Sequence, residues 1–233
     1  MLGEKIRSLF RPIGDPPLNG GGVYPAHLER APWIPVDING PVERDRRSHG
    51  LRQFFEDLPC ETKLRILDLG GASQANVNFI ALRGHKLYTE DLLVGLDRIK
   101  SQARDSAARR NLPGRFVDDN LNFPREQFDG ILVWDTLEFL DEDTLQAAVA
   151  QLHFILRPGG TLLNFFHTHA KGETVHVYRY QIRDHQTLHL QPRLSQPLPR
   201  AFNNRNLERL FSSFHSIKFF LAKDNLREVI VTR

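Results

Sequence analysis

One cysteine, Cys60, in 233 residues leaves no partner for an internal disulfide and no thiolate set for a multi-cysteine metal site. That usage fits a reducing compartment. Long apolar runs are missing as well. Residues 130–134 and 161–166 are far too short to cross a bilayer, and no basic N-region leads into a longer stretch, so the chain reads as soluble and cytoplasmic. No internal repeat is visible. A strong charge of either sign is also lacking: the net +3 is too mild to imply nucleic acid. Its distribution is uneven, because residues 171–233 hold 11 basic and 5 acidic side chains, a local +6, together with His176, His185, His189 and His215. Such a face attracts an anionic substrate or phosphate-bearing partner, although a solvated basic surface is the commoner outcome.

What is present is ordinary globular composition, 40% hydrophobic and 25% charged, enough for one core with additions. Residues 1–42 differ from the rest. Pro12, Pro16, Pro17, Pro25, Pro32, Pro35 and Pro41, with the run Asn19-Gly20-Gly21-Gly22, describe an extended arm. Within it Leu2, Ile6, Leu9, Phe10 and Ile13 recur at helical spacing, a short amphipathic helix that packs on its own domain or touches a membrane surface through residues 1–13.

From residue 43 onward one domain is expected. Leu51, Phe54, Phe55 and Leu58 place a helix within 42–58, and then strands and helices alternate. Strands are expected at 64–69, 85–89, 116–117, 128–134 and 161–166, with helices at 75–83, 92–111 and 141–156 between them. That rhythm predicts a parallel sheet with helices on both faces. After an insert at 171–200 and a helix at 203–214, strands at 216–222 and 226–232 are joined too tightly for a crossover helix, so they form an antiparallel hairpin.

The motif richest in chemistry is RILDLGGAS at 65–73, an apolar strand that ends in Asp68 and turns at Gly70 and Gly71. Side-chain-free residues there let the backbone turn sharply and approach a ligand closely. Four further segments follow in order: an acid after the second strand, Glu90 or Asp91, then DNLNFP at 119–124, FDGILVWDTLEFL at 128–140 and LRPGGTLL at 156–163. With the terminal hairpin, these segments resemble the class I S-adenosylmethionine-dependent methyltransferases over about 170 residues. The resemblance implies a three-layer Rossmann-like α/β fold with a seven-stranded, mostly parallel sheet and one reversed strand. It implies S-adenosylmethionine as cofactor and methyl transfer to a small-molecule acceptor, with a catalytically inactive binding or scaffold relative as the alternative.

By that resemblance Asp68 lies under the methionine end, with Gly70 and Gly71 admitting the cofactor. Glu90, 22 positions after Asp68, accepts the ribose hydroxyls. Asp119 accepts from the adenine amino group, the Asn120 amide donates to the ring, and Leu121 or Phe123 flanks its face. Trp134 and Asp135 face the sulfonium or the acceptor.

Two departures stand out: Ala72 and Gln74 occupy positions where the family usually carries more glycine, and Leu137-Glu138-Phe139 lacks a histidine some small-molecule methyltransferases place there. A base is optional where alignment supplies most of the rate. Asp135, His167 and His169 are the nearest candidates, with Asp135 and His167 the catalytic pair chosen. His167 and His169 without a third ligand make a poor metal site, so none is expected. Nucleic acid is disfavoured as acceptor, because Trp134-Asp135-Thr136-Leu137 stands where an N/D-P-P-Y/F signature would be. The missing G-x-G-x-x-G counts against an NAD-linked oxidoreductase. The arm and the segment 174–190 are expected to roof the acceptor, and Tyr178, Arg179 and Tyr180 within that segment read equally as surface strand residues or as ligands. An anionic acceptor suits the basic C-terminal segment.

Overall fold

The fold is taken from a computed structural model, and the structure describes residues 42–59, 63–102, 111–222 and 224–233. The arm at 1–41, with its amphipathic helix and its role as a roof, lies outside the described residues.

Strand β1 (Arg44–Arg47) precedes helix α1 (His49–Asp57), whose N-cap Ser48 accepts from the Leu51 amide at 2.9 Å. The helix expected within 42–58 therefore starts only at His49. The tetrapeptide before it buries Arg46 alone of its four residues and pairs antiparallel with β7 (Thr187–Pro197). Then come β2 (Arg65–Asp68), α2 (Gln74–Ala81), β3 (Lys86–Thr89), α3 (Leu92–Gln102), α4 (Leu112–Asn120), β4 (Phe128–Trp134) and α5 (Glu142–Ile155). The chain continues through β5 (Leu156–His167), β6 (Thr174–Asp184), β7, α6 (Asn204–Leu210), β8 (Ser216–Leu221) and β9 (Leu226–Thr232).

The principal sheet has six strands in the order β3-β2-β4-β5-β9-β8. β3, β2, β4 and β5 run parallel, and β9 runs antiparallel to both its neighbours. The α/β class and the single reversed strand follow the expectation, while among the described residues the sheet has six strands in place of seven. Residues Phe116 and Val117, read as a brief strand, lie inside α4. Leu112, Phe116 and Asn120 are buried four residues apart along one helical face, and Pro113 stands in the first turn, where a missing N–H costs nothing.

Period-two burial explains the layers. Leu67, Ile131, Val133 and Leu162 face α3, α4, α5 and α6, whereas Ile66, Leu132, Leu163 and Ile230 face α1, α2 and the β6–β7 hairpin. β4 is buried along its whole length, as a strand covered on both faces must be. The hairpin occupies the sequence insert and, with β1, makes a separate antiparallel sheet in the order β1-β7-β6. Among the described residues no helix is long and apolar enough to cross a membrane.

Candidate active site

β2 delivers Asp68, fully buried, to the carboxyl edge of the sheet. Its Oδ1 accepts from the Gly70 amide at 3.0 Å and from the Trp134 indole at 2.7 Å, and its Oδ2 accepts from Asn76 Nδ2 at 2.7 Å. Burial pushes this carboxyl up, and the three donors oppose the shift. Asn76 also donates to the Tyr180 carbonyl at 3.0 Å and accepts from the Ile182 amide at 2.7 Å, tying α2 to β6.

The glycine turn is filled by the chain itself. Gly71 has φ +87°, a conformation that favours glycine, and a Cβ there would lie 2.5 Å from Asp91 Oδ2. A Cβ on Gly70 would lie 2.5 Å from Trp134 Cδ1. Asp91 is held by Arg193 Nη2 at 2.7 Å. The Gly71 amide donates to the Glu90 carbonyl at 3.0 Å, so the turn after β2 is stitched to the residues after β3.

Trp134 ends β4 with φ +61° and stacks on Tyr180, ring centroids 5.0 Å apart and planes within 6°. The Tyr180 hydroxyl donates to Asp135 Oδ2 at 3.0 Å. Burial raises the Asp135 carboxyl to about 7, although His167 and the Tyr180 hydroxyl pull it down. Beside it the short 3-10 helix Leu137–Phe139 presents Glu138, fully buried. Glu138 Oε2 accepts the His167 backbone N–H at 2.9 Å, and its Oε1 bonds the His167 ring at Nδ1. Burial opposes charge on His167, yet Glu138 and Asp135 outweigh it and raise the imidazole above its ordinary value. Glu138 itself is raised by burial.

His167 also forms one wall of a cavity of about 230 Å³, shared with Arg44, His169, His176, Tyr178 and Asp224. The rings of His167 and His169 are 5.8 Å apart, and His169 Nδ1 is buried with no hydrogen-bond partner among the described residues. Among the described residues no cluster of three or more potential ligands is arranged to hold a metal ion.

The structure therefore brings Asp68, Gly70, Gly71, Trp134, Asp135 and His167 into one contiguous network. Glu90 stands at the end of β3, partly exposed, its carboxyl raised by burial against a pull from Arg98 and without a hydrogen-bond partner among the described residues. Asp119 and Asn120 lie elsewhere in character. Asp119 is exposed on the last turn of α4, and the Asn120 side chain bonds the Phe116 carbonyl at 2.8 Å and packs on Gly95, where a Cβ would meet its Oδ1 at 1.9 Å. Leu121 is fully buried, and Phe123 packs on Tyr88 and Phe128 in the core layer; neither flanks a ligand face as expected. Glu138, Asn76, Tyr180 and Arg193 were not among the residues the sequence singled out as ligands. Only the basic, tyrosine-bearing insert hinted at the last two.

A buried acid and glycine turn after the first parallel strand, a second acid at the next strand's end and a reversed last ladder define an α/β fold of the methyltransferase type. The chain belongs to that family: a family model described as a methyltransferase domain matches residues 43–214. No curated protein matches it by sequence. Similar solved structures include an S-adenosylmethionine-dependent methyltransferase from Clostridium acetobutylicum, 12% identical with TM-score 0.45, covering 78% of this chain and 90% of that one. Another is the 1,6-didemethyltoxoflavin-N1-methyltransferase of Burkholderia thailandensis with S-adenosylhomocysteine, 16% identical with TM-score 0.42, covering 79% and 77%. A glycopeptide N-methyltransferase complexed with S-adenosylmethionine is 14% identical with TM-score 0.44, covering 78% and 92%.

Proposed function

We propose that this protein transfers the methyl group of S-adenosylmethionine to a small-molecule acceptor. The observation that carries the reading is the methyltransferase-domain match across residues 43–214. The cofactor of that reaction is S-adenosylmethionine, and Asp68, Gly70, Gly71, Glu90, Asp119, Asn120 and Trp134 are the residues proposed to hold it. Fit differs between its two halves. Glu90 offers a partly exposed carboxylate with no hydrogen-bond partner among the described residues, suited to accept from a ribose diol, but the methionine half of the crevice is filled: all three donors on Asp68 come from the chain, and Trp134 and Asp91 occupy the space over Gly70 and Gly71. In this arrangement the group does not fit.

The chemistry assigned to the chain's own residues is proton handling on the acceptor side. Asp135, with a carboxyl near 7, can hold or release a proton at neutral pH, and the neighbouring Glu138 and Asp135 favour the charged form of His167. Glu138 positions the imidazole, which faces the cavity. Arg44 on the cavity wall, 3.7 Å from Asp224 on the same wall, is the cation an acceptor with an anionic end would have to share with that carboxylate. The 171–200 insert, as β6 and β7, supplies Tyr178 and His176 to the same wall and is the proposed seat of acceptor choice.

Calorimetry with S-adenosylmethionine, followed by transfer of its labelled methyl group into a panel of small carboxylated and phosphorylated nucleophiles, tests the reading. Binding with turnover supports it. The filled glycine turn favours one alternative, a non-catalytic relative, and absence of binding in every form of the protein would establish that alternative.

A further inference from the structure

We propose that Arg193 is a latch that keeps the methionine half of the crevice shut, so that S-adenosylmethionine enters only after Arg193 releases Asp91 and Trp134 leaves Gly70. The inference rests on the cofactor reading above and explains why that half is filled.

Arg193 owes its aim to a bulge. In the β6–β7 ladder Val177 pairs with Leu194 and Tyr178 with Pro192, so Arg193 is the extra residue opposite nothing, free of the alternation that orients its neighbours. From there it bonds Asp91 Oδ2 at 2.7 Å and reaches the Gly70 carbonyl and Asp91 Oδ1 at 3.4 Å. One guanidinium thus spans both sides of the turn, and its partner carboxylate is the group lying over Gly71. Both side chains are largely screened from water, 17% and 20% exposed, where such a pair counts for more than at an open surface.

The second closure lies one residue away. Trp134 covers Gly70 with a left-handed backbone, which a bulky residue adopts only where its surroundings insist. Two contacts insist here: its indole donates to Asp68, and its ring is stacked by Tyr180 of β6. Each closure is thus braced by the same hairpin, through Arg193 of β7 and Tyr180 of β6, while Asp68 of β2 also holds Trp134. Among the described residues neither β6 nor β7 pairs with a strand of the six-stranded sheet, so a shift of the hairpin leaves the main-sheet ladders intact and breaks instead the Asn76 bonds to the Tyr180 carbonyl and the Ile182 amide. Its base is clasped by the bonds from the Gly172 amide to the Leu198 carbonyl and from the Leu198 amide to the Glu173 carbonyl, with Gly172 at φ +88°. That clasp offers a pivot.

Stopped-flow binding of S-adenosylmethionine, read by the fluorescence of Trp134 in a Trp33→Phe background, tests the latch. A gated site gives an observed rate that reaches a plateau as cofactor concentration rises, because opening becomes limiting. Arg193→Ala and Asp91→Asn break the pair from opposite elements. Each should raise the plateau and tighten apparent affinity by about fivefold, since the closed population no longer subtracts from binding. Arg193→Lys, which keeps the charge and loses the fork, should fall between the wild type and these two variants. Thermal melting identifies any variant that fails to fold, and the pair of independent variants keeps the result decisive. A rate that rises linearly with cofactor and is the same in all proteins overturns the latch while leaving the functional reading intact. So does binding that leaves Trp134 fluorescence unchanged. No binding in the wild type or in either opened variant overturns the functional reading and the latch together.

Discussion

Glu138 grips His167 twice, accepting the backbone N–H at 2.9 Å with one oxygen and bonding the ring Nδ1 with the other. Residues 29 apart in the chain are thereby locked across the ends of β4 and β5. Removing the carboxylate should lower the His167 pKa, because the neighbour that most favours the imidazolium is lost. Glu138→Ala should also cost about 1–3 kcal/mol, the range for stranding a buried donor. NMR titration of the His167 ring and urea unfolding of the same variant check both outcomes. Because His167 is raised in the folded state, its contribution to stability is complete below its ordinary 6.5 and is lost as pH rises through the folded value.

Asp135 gives the clearest pH signature. Its carboxyl stands near 7 in the folded protein against 3.8 ordinarily, so between those values the native state holds a proton that the unfolded chain releases. Stability should therefore fall as pH rises from 4 to 7, with a slope approaching ~1.4 kcal/mol per pH unit from this group alone. Asp135→Asn should flatten that slope. Denaturation midpoints at several pH values, wild type against variant, measure it.

Arg46 and Glu228 form a buried ion pair between β1 and β9, with side chains 5% and 1% exposed. Arg46 Nε also donates to Asp224 at 2.5 Å, while Glu228 accepts from Ser48 and from the Gly50 amide. Truncating one partner strands a charge among these donors, so Arg46→Ala should cost about 3–5 kcal/mol. A smaller loss by urea unfolding, below 1 kcal/mol on the surface-pair scale, would mean that water reaches the pair.

Glu90 is the proposed ribose ligand. Glu90→Ala should weaken S-adenosylmethionine binding by roughly 1.5–3 kcal/mol, as for a lost hydrogen bond to a charged group, with little change in melting temperature because the side chain is partly exposed and makes no hydrogen bond among the described residues. Calorimetric affinity unchanged in this variant removes the role from Glu90.

Gly95 tests a structural assignment. Its place in α3 is closed by Asn120 of α4, and Gly95→Ala should destabilise the fold by about 1–3 kcal/mol through overpacking. A thermal melt that does not shift would show that Asn120 is free to move and available to a ligand.

The sequence alone determined the class of fold and where a candidate site was to be sought. The alternation of apolar runs with 3.6-period segments dictates a parallel sheet, and the period-two burial of β2 and β4 follows from it. An acid and two glycines at a strand's end announce a ligand edge whatever the rest of the chain does. Short signals were decided by context. Phe116 and Val117 satisfy a strand or a helix equally well, and the burial of Leu112 and Asn120 four residues away on either side of Phe116 selects the helix. What only the tertiary structure decided is how the site is closed. Arg193 meets Asp91 across 102 residues, and Trp134 meets Asp68 across 66. Local pattern records which face a residue buries. It does not record a bulge in one ladder or the stacking of two rings from different sheets, because those depend on register and on packing between elements that are distant in the chain.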